Sequence, residues 1–186
     1  PLPIDTVVAI LDTNTRRGLV DSAYNERRMQ CQQAADFFGV AALRDVTPTE
    51  FEQRAQHLPE ITRRRARHVI YENARTLQAA DALRHNDPAT VGQLMRASHT
   101  SLQMDFEVSS PELDAMAAIA NQHPACYGAR MTGAGFGGCA VALISAAQST
   151  EFAQNVHREY TLQTGQSAKI YLSQATAGAS VKKLHK

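Results

Sequence analysis

The residues best placed to do chemistry lie between Arg130 and Cys139, where the chain reads Arg-Met-Thr-Gly-Ala-Gly-Phe-Gly-Gly-Cys. Glycine is otherwise sparse: four of the ten in the sequence fall within positions 133–138. Such a run can take backbone conformations closed to other residues. It can also present bare N–H groups in a concavity suited to a phosphate or to another loop. Gly133, Gly135 and Gly138 satisfy the spacing GxGxxG, but that fingerprint marks a dinucleotide site only where it opens a helix after a strand. Here the apolar run Cys139 to Ile144 that follows has the length of a strand. No Lys-Ser or Lys-Thr follows the glycines, so they are not a P-loop either. Two readings remain: an anion-facing cradle between two strands, or a turn whose glycines serve only geometry.

Other reactive side chains are less suggestive. The three cysteines, Cys31, Cys126 and Cys139, are odd in number, far apart and without CxxC spacing. That argues against a disulfide scaffold or a zinc site and for a reducing, cytoplasmic location. Cys139 is expected to be a small buried residue at a strand start rather than a reactive thiol. The seven histidines show no ligand spacing, so no metal is assigned to them. Arg63, Arg64, Arg65, Arg67 and His68 form a basic run without interleaved aromatics. A solvated helix face is expected there, not a nucleic-acid patch. Asp105 and Glu107 are expected to make caps or ion pairs.

The elements that must position the glycine cluster follow from periodicity. Thr6 to Leu11 reads as a short buried strand. Tyr24, Arg28, Cys31, Ala35 and Phe38 recur at helical spacing, and Gly39 can close that helix. Thr47-Pro48-Thr49-Glu50 has the form of a capping box. A longer helix runs from about Glu60 to near Asn86, with Ala66, Ile70, Ala74, Leu77 and Ala80 on one stripe. Asp87-Pro88 and Ser110-Pro111 each cap a further helix, the second with Leu113, Met116, Ala117 and Ala120 facing inward. Cys126 to Met131 and Cys139 to Ile144 read as strands around the glycines. Ser149 is expected to cap a helix carrying Phe152, Val156 and Tyr160, which Gly165 can stop, and Ala168 to Leu172 alternates as a last, half-exposed strand. With the helical stretch taken as one expanded crossover, the order is β-α-β-β-α-β. The fold expected is an α+β ferredoxin-like sandwich with extra helices, its mostly antiparallel sheet covered on one face.

A length of 186 residues with 44% hydrophobic content supports one sizeable core and a single domain, 1–186. Nineteen basic against eighteen acidic residues give a net charge of +1, so no global field draws the chain to nucleic acid or to an acidic membrane. No apolar run spans a bilayer and no N-terminal segment reads as a signal peptide. The chain begins Pro1-Leu2-Pro3-Ile4 and is in an apolar run by Thr6, which is expected of a piece of a larger protein.

The segment Tyr127 to Cys139 resembles, nearly residue for residue, the C-terminal motif of galactokinases, in the galactokinase, homoserine, mevalonate and phosphomevalonate (GHMP) kinase superfamily. Ser22 to Cys31 is similar to that family's Tyr-x-x-Arg-Arg-x-x-Cys helix start. Arg67-His68-Val69-Ile70-x-Glu72, Ser98-His99-x-Ser101-Leu102, Asp105 to Asp114 and Tyr171 to Ala175 also match, in the same order. Phe106 stands where the family usually has Tyr, Gln103 where it has Arg, and Arg17 where it has His.

The resemblance implies the C-terminal domain of an enzyme that uses ATP and Mg2+ to phosphorylate galactose, forming galactose 1-phosphate. The family's Glu-His-x-Asp sugar contacts, its serine-rich phosphate loop and its aspartate base are absent from this chain. No catalytic residue is therefore expected here, no cofactor is expected to be held by this chain alone, and the isolated chain is expected to be inactive. Tyr24 aligns with a tyrosine that hydrogen-bonds the sugar; the plainer reading is a core tyrosine. Arg16 aligns with an arginine near the catalytic centre; the plainer reading is a solvated loop residue. Thr132, Gly133, Gly135, Gly137 and Gly138 would abut the phosphate loop as active-site support. Partners implied are galactose and ATP, with no nucleic acid or membrane, and self-association through the face that meets the other half. A non-catalytic sugar- and ATP-sensing regulator and a kinase for a related sugar such as N-acetylgalactosamine share the same motifs in this half.

Overall fold

The first strand, β1 (Thr6–Asp12), carries β-branched and apolar residues in alternation: Val7, Ala9 and Leu11 are buried, Val8 and Ile10 only half-buried. A strand so buried on one face belongs inside a sheet, and it is paired on both edges. The computed structural model describes residues 2–15 and 21–176. Within them β1 runs antiparallel to β3 (Cys139–Ser145) from Thr6↔Ser145 to Asp12↔Cys139, and antiparallel to β4 (Lys169–Ser173). β2 (Cys126–Met131) pairs antiparallel with β3, giving the order β2-β3-β1-β4. This is the split β-α-β-β-α-β arrangement with its first crossover expanded into five helices.

Those helices start where the sequence supplies caps. α1 (Asp21–Phe38) ends at Gly39, whose φ of 74° lets the Val40 amide turn back to the Ala35 carbonyl. Thr47, Asp87 and Ser110 each accept a backbone N–H with their side-chain oxygen. They open α2 (Pro48–Arg54), α4 (Pro88–Ser101) and α5 (Pro111–Gln122), each with proline in its first turn. α3 (Glu60–Arg84) has no side-chain cap and is held by packing. α6 (Ser149–Thr164) departs from expectation: Ser149 is already helical and Gln148 precedes it, because a 3-10 turn at Ala146–Gln148 leads the chain directly into the helix. Gly165, at φ 71°, ends it.

Two cores result. α5 and α6 cover the face of the sheet that carries Val7, Ala9 and Leu11, where Met116, Ala120, Phe152, Val156 and Tyr160 join Ala140, Ala142 and Ile144. Away from the sheet, α1, α2 and the first half of α3 close over Phe38, Phe51, Leu58, Ala66 and Ile70. Leu77, expected on the inner stripe of α3, is 68% exposed instead; by that point the helix has left this second core.

The sheet is not covered on one face only. Val91 of α4 and Ala82 of α3 pack with Leu143, which alternates with Ala142 and Ile144 and so points to the opposite face. The contact is possible because two glycines meet: a Cβ at Gly92 would lie 1.9 Å from the Tyr127 carbonyl oxygen, and one at Gly128 would lie 2.1 Å from the Gly92 carbonyl oxygen. α4 therefore rests backbone to backbone on β2, and Arg96 one turn later donates to the same Tyr127 carbonyl. Replacing Gly92 with Ala must push α4 off the strand, and we expect Gly92→Ala to cost about 3 kcal/mol of unfolding free energy in urea titration.

Candidate functional site

The glycine loop, residues 132–138, joins β2 to β3, and its shape is fixed by its neighbours rather than by its own sequence. Gly133, Gly135, Gly137 and Gly138 have φ of 81°, 84°, 126° and 93°, and Phe136 between them has 60°. The Thr132 amide donates to the Cys139 carbonyl at 2.9 Å, closing the loop at its base. On one side the Phe136 amide donates to the Val108 carbonyl at 2.7 Å. On the other, the Gly138 amide donates to Thr15 and the Gly138 carbonyl accepts from the amide and hydroxyl of Thr13, at 3.0 and 2.6 Å. Buried Tyr160 of α6 reaches up to the Thr13 carbonyl, so the residues just after β1 are anchored from the core.

Three amides of the loop, those of Thr132, Phe136 and Gly138, are thus spent on protein carbonyls. Its exposed part is the turn at Gly133 and Ala134, while Gly135 and Gly137 are buried. Gly135 has no room for a side chain: a Cβ there would lie 2.0 Å from the Val108 carbonyl oxygen.

Val108 is placed by the segment before it. After α4 the chain makes a π-helical turn, Leu102–Phe106, and Glu107 takes the left-handed conformation at φ 53°. Arginines from two helices hold this strap. Arg27 of α1 donates to the Phe106 and Glu107 carbonyls at 2.6 and 3.1 Å. Arg65 of α3, only 3% exposed, donates to the Asp105 carbonyl, to the Glu107 carboxylate and to Gln30. Arg64 reaches the other Glu107 oxygen at 2.7 Å, and Arg67 pairs with Asp105. Arg65 and then Arg64 hold the Glu107 carboxyl below the usual carboxylate range against the opposing effect of burial. His68 stacks on Phe106 with ring centroids 4.6 Å apart and meets the Ser101 hydroxyl, which donates to Asp105.

The basic run is therefore not a solvated helix face. Arg65 and His68 are buried, and Arg64, Arg65 and Arg67 spend their charge on the strap, as the acids Asp105 and Glu107 do in return. The pattern hid this because the partners lie 38–43 residues away from the arginines they meet.

Tyr24 lies on α1 one turn before Arg27 and is 58% exposed, so it is not a core tyrosine. In the first half of α1 the side turned inward carries Arg27, whose side chain is 12% exposed, while Tyr24 and Arg28 stay open. Arg27, one turn on, is the residue of this helix that meets the strap. Thr132 is half-buried at the base of the loop, and Cys139 is half-buried at the start of β3. Arg16 lies outside the described residues. Site and scaffold thus gather at one end of the sheet: the residues after β1, the glycine loop, the strap and the first turns of α1.

Residues 79–162 match the family model described as GHMP kinases C terminal. A solved structure of Lactococcus lactis galactokinase complexed with galactose is 36% identical and covers 91% of this chain with a TM-score of 0.87. The chain carries a GHMP kinase C-terminal domain. It spans 45% of the length of that galactokinase. L. major mevalonate kinase in complex with R-mevalonate has the same fold at 18% identity and TM-score 0.56, covering 95% of this chain and 45% of its own. Homoserine kinase from Cytophaga hutchinsonii does so at 13% and 0.52, covering 94% of this chain and 43% of its own. The span that matches the GHMP kinase model holds the glycine loop, the strap, α4 and α5; Tyr24 lies ahead of it.

Two measurements follow. Gly135→Ala combines a strained φ with a backbone clash, whereas Gly39→Ala meets nothing within 4 Å. We expect Gly39→Ala to cost about 1 kcal/mol and Gly135→Ala several times that, read by urea unfolding. The second concerns pH. Burial pushes His68 from an ordinary 6.5 down to about 4, so the neutral imidazole is the form that folds. The unfolded chain takes up this proton first as pH falls, so stability is complete above 6.5 and is lost on going down towards about 4. Thermal melts between pH 7 and pH 4 should show that slope reduced in His68→Asn.

Proposed function

We propose that this GHMP kinase domain is the C-terminal part of a galactokinase, which moves the γ-phosphoryl group of ATP to the C1 hydroxyl of galactose. One observation carries the reading. Identity to the Lactococcus lactis galactokinase is 36% over 91% of the chain, against 18% and 13% to the mevalonate and homoserine kinases of the same fold. The Tyr-x-x-Arg-Arg-x-x-Cys pattern of the family recurs at the start of α1, where exposed Tyr24 stands ready to meet a sugar hydroxyl.

Phosphoryl transfer needs the nucleophile aligned with the phosphate, charge on the equatorial oxygens neutralised and the attacking hydroxyl relieved of its proton. This chain supplies alignment. Tyr24 donates or accepts a hydrogen bond from the sugar, and the Gly133–Ala134 turn, backed by Val108 and Thr15, forms a rigid wall against the phosphate end. ATP and Mg2+ are a different matter. Among the described residues no group of three or more His, Cys, Asp or Glu side chains could hold a metal ion. Three of the loop amides are already bonded to protein carbonyls. In this reading the nucleotide and its Mg2+ are held by the rest of the enzyme, and the loop serves as a wall beside them. The face around the loop and α1 is where the rest of the enzyme docks, and in the isolated chain it mediates self-association.

The test is direct. The full-length gene product should form galactose 1-phosphate from ATP and galactose and discriminate against N-acetylgalactosamine, while this chain alone forms none. In the active protein Tyr24→Phe should raise the KM for galactose about threefold to tenfold with kcat little changed, as expected for one lost neutral hydrogen bond. Unaltered KM would remove Tyr24 from the sugar site, and a preference for another acceptor would replace galactose in the proposal.

A further inference from the structure

One buried histidine bridges both supports of the glycine loop. His99, in the last turn of α4 and 8% exposed, accepts the Met131 backbone N–H at Nδ1 over 3.1 Å. Met131 is the last residue of β2, two positions before Gly133. Because Nδ1 accepts, the ring proton of the neutral imidazole sits on Nε2, which faces Asp114 Oδ1 at 3.4 Å. Asp114, in the first turn of α5, also accepts from the Ser109 hydroxyl and from Gln103 Nε2 at 2.7 Å. Ser109 follows Val108, the residue whose carbonyl holds Phe136. A continuous path therefore runs Met131, His99, Asp114, Ser109, Val108, Phe136, joining the start of the loop to its brace without touching the loop tip.

We propose that His99 is a positioning residue for the glycine loop, its neutral imidazole accepting the Met131 amide and so fixing the end of β2 where the loop begins, with Asp114 orienting the ring. Without it, the Met131 amide loses its acceptor, and the end of β2 is held to β3 on one edge only. The charged groups around the ring favour this state. Burial and the Arg130 guanidinium, from β2, push the imidazole below its ordinary value, while Asp114, from α5, acts the other way. Arg96, from α4 itself, lines with His99, Gln103 and Asp114 a cavity of about 510 Å³. The role in turnover rests on the kinase reading above; the role in holding the loop does not.

The experiment uses three variants. His99→Asn keeps an acceptor where Nδ1 lies, His99→Gln keeps a donor where Nε2 lies, and His99→Leu keeps neither. Amide hydrogen exchange on the chain is the first readout. We expect exchange across residues 131–138 to rise about tenfold or more in His99→Leu and His99→Gln, and to stay within about threefold of wild type in His99→Asn. The second readout is the full-length protein with ATP and galactose, where kcat should fall about tenfold in the same two variants with KM for galactose within about twofold, and be restored in His99→Asn. Wild-type exchange in a folded His99→Leu protein would overturn the proposal, and so would equal loss in Asn and Gln variants, which would mark a packing role. If His99→Leu does not fold, the Asn and Gln pair decides alone. If the wild-type protein phosphorylates no galactose, the functional reading fails while the exchange pattern still decides this one.

Discussion

Everything at this end of the molecule depends on how closely the loop backbone approaches Val108. The Phe136 amide bonds the Val108 carbonyl, and the same oxygen occupies the place where a side chain at position 135 would begin. A hydrogen bond at that separation demands that the two backbones meet with nothing between them, which only glycine permits. The glycines are thus not slack. They let two stretches of backbone touch, and the touching removes the freedom that glycine brings. What could have been a loose turn becomes a wall whose position is set by the strap behind it.

The strap in turn must be rigid, and its own backbone is not regular enough to be so unaided. A π-helical turn followed by a left-handed Glu107 leaves carbonyls that no helix ladder satisfies. Arginine answers this need better than any other side chain, since its planar fork can serve a carbonyl and a carboxylate at once. Arg65 does both, to Asp105 and Glu107, while Arg27 takes two carbonyls. Burying a guanidinium is unfavourable unless its donors are used, and on Arg65 they are shared among Gln30, Asp105 and Glu107. The arginines stabilise one conformation of the strap more than they stabilise the fold as a whole.

How much of this could be read in advance follows a physical divide. Features set by neighbours in sequence were legible: the caps at Thr47, Asp87 and Ser110, the inward face of α5, the strands on either side of the glycines and the split β-α-β-β-α-β order. Features set by distant partners were not. A run of arginines looks solvated until Asp105 and Glu107 arrive from 38–42 residues away. The second covered face of the sheet rests on Gly92 meeting Gly128, and a contact without side chains leaves no periodic trace. Tyr24 was placed by resemblance; its apolar spacing alone suggested the core, and it is exposed because the side turned inward in the first half of α1 carries Arg27 instead.

The second face of the sheet is covered only in part. Val8, Ile10 and Val141 lie on the face opposite the α5 and α6 core, and α4 covers only the part over β2 and Leu143. At the end of that sheet the polar groups nearest the loop, Thr13, Thr15, Asp105 and Glu107, are all engaged with protein atoms. Glu107, paired with Arg65 and Arg64, is a poor proton acceptor, because each ion pair stabilises its charged form. Asp105 and Glu107 are committed to shape. The part left to these two residues is to hold the strap, and through Val108 the glycine loop, in one place.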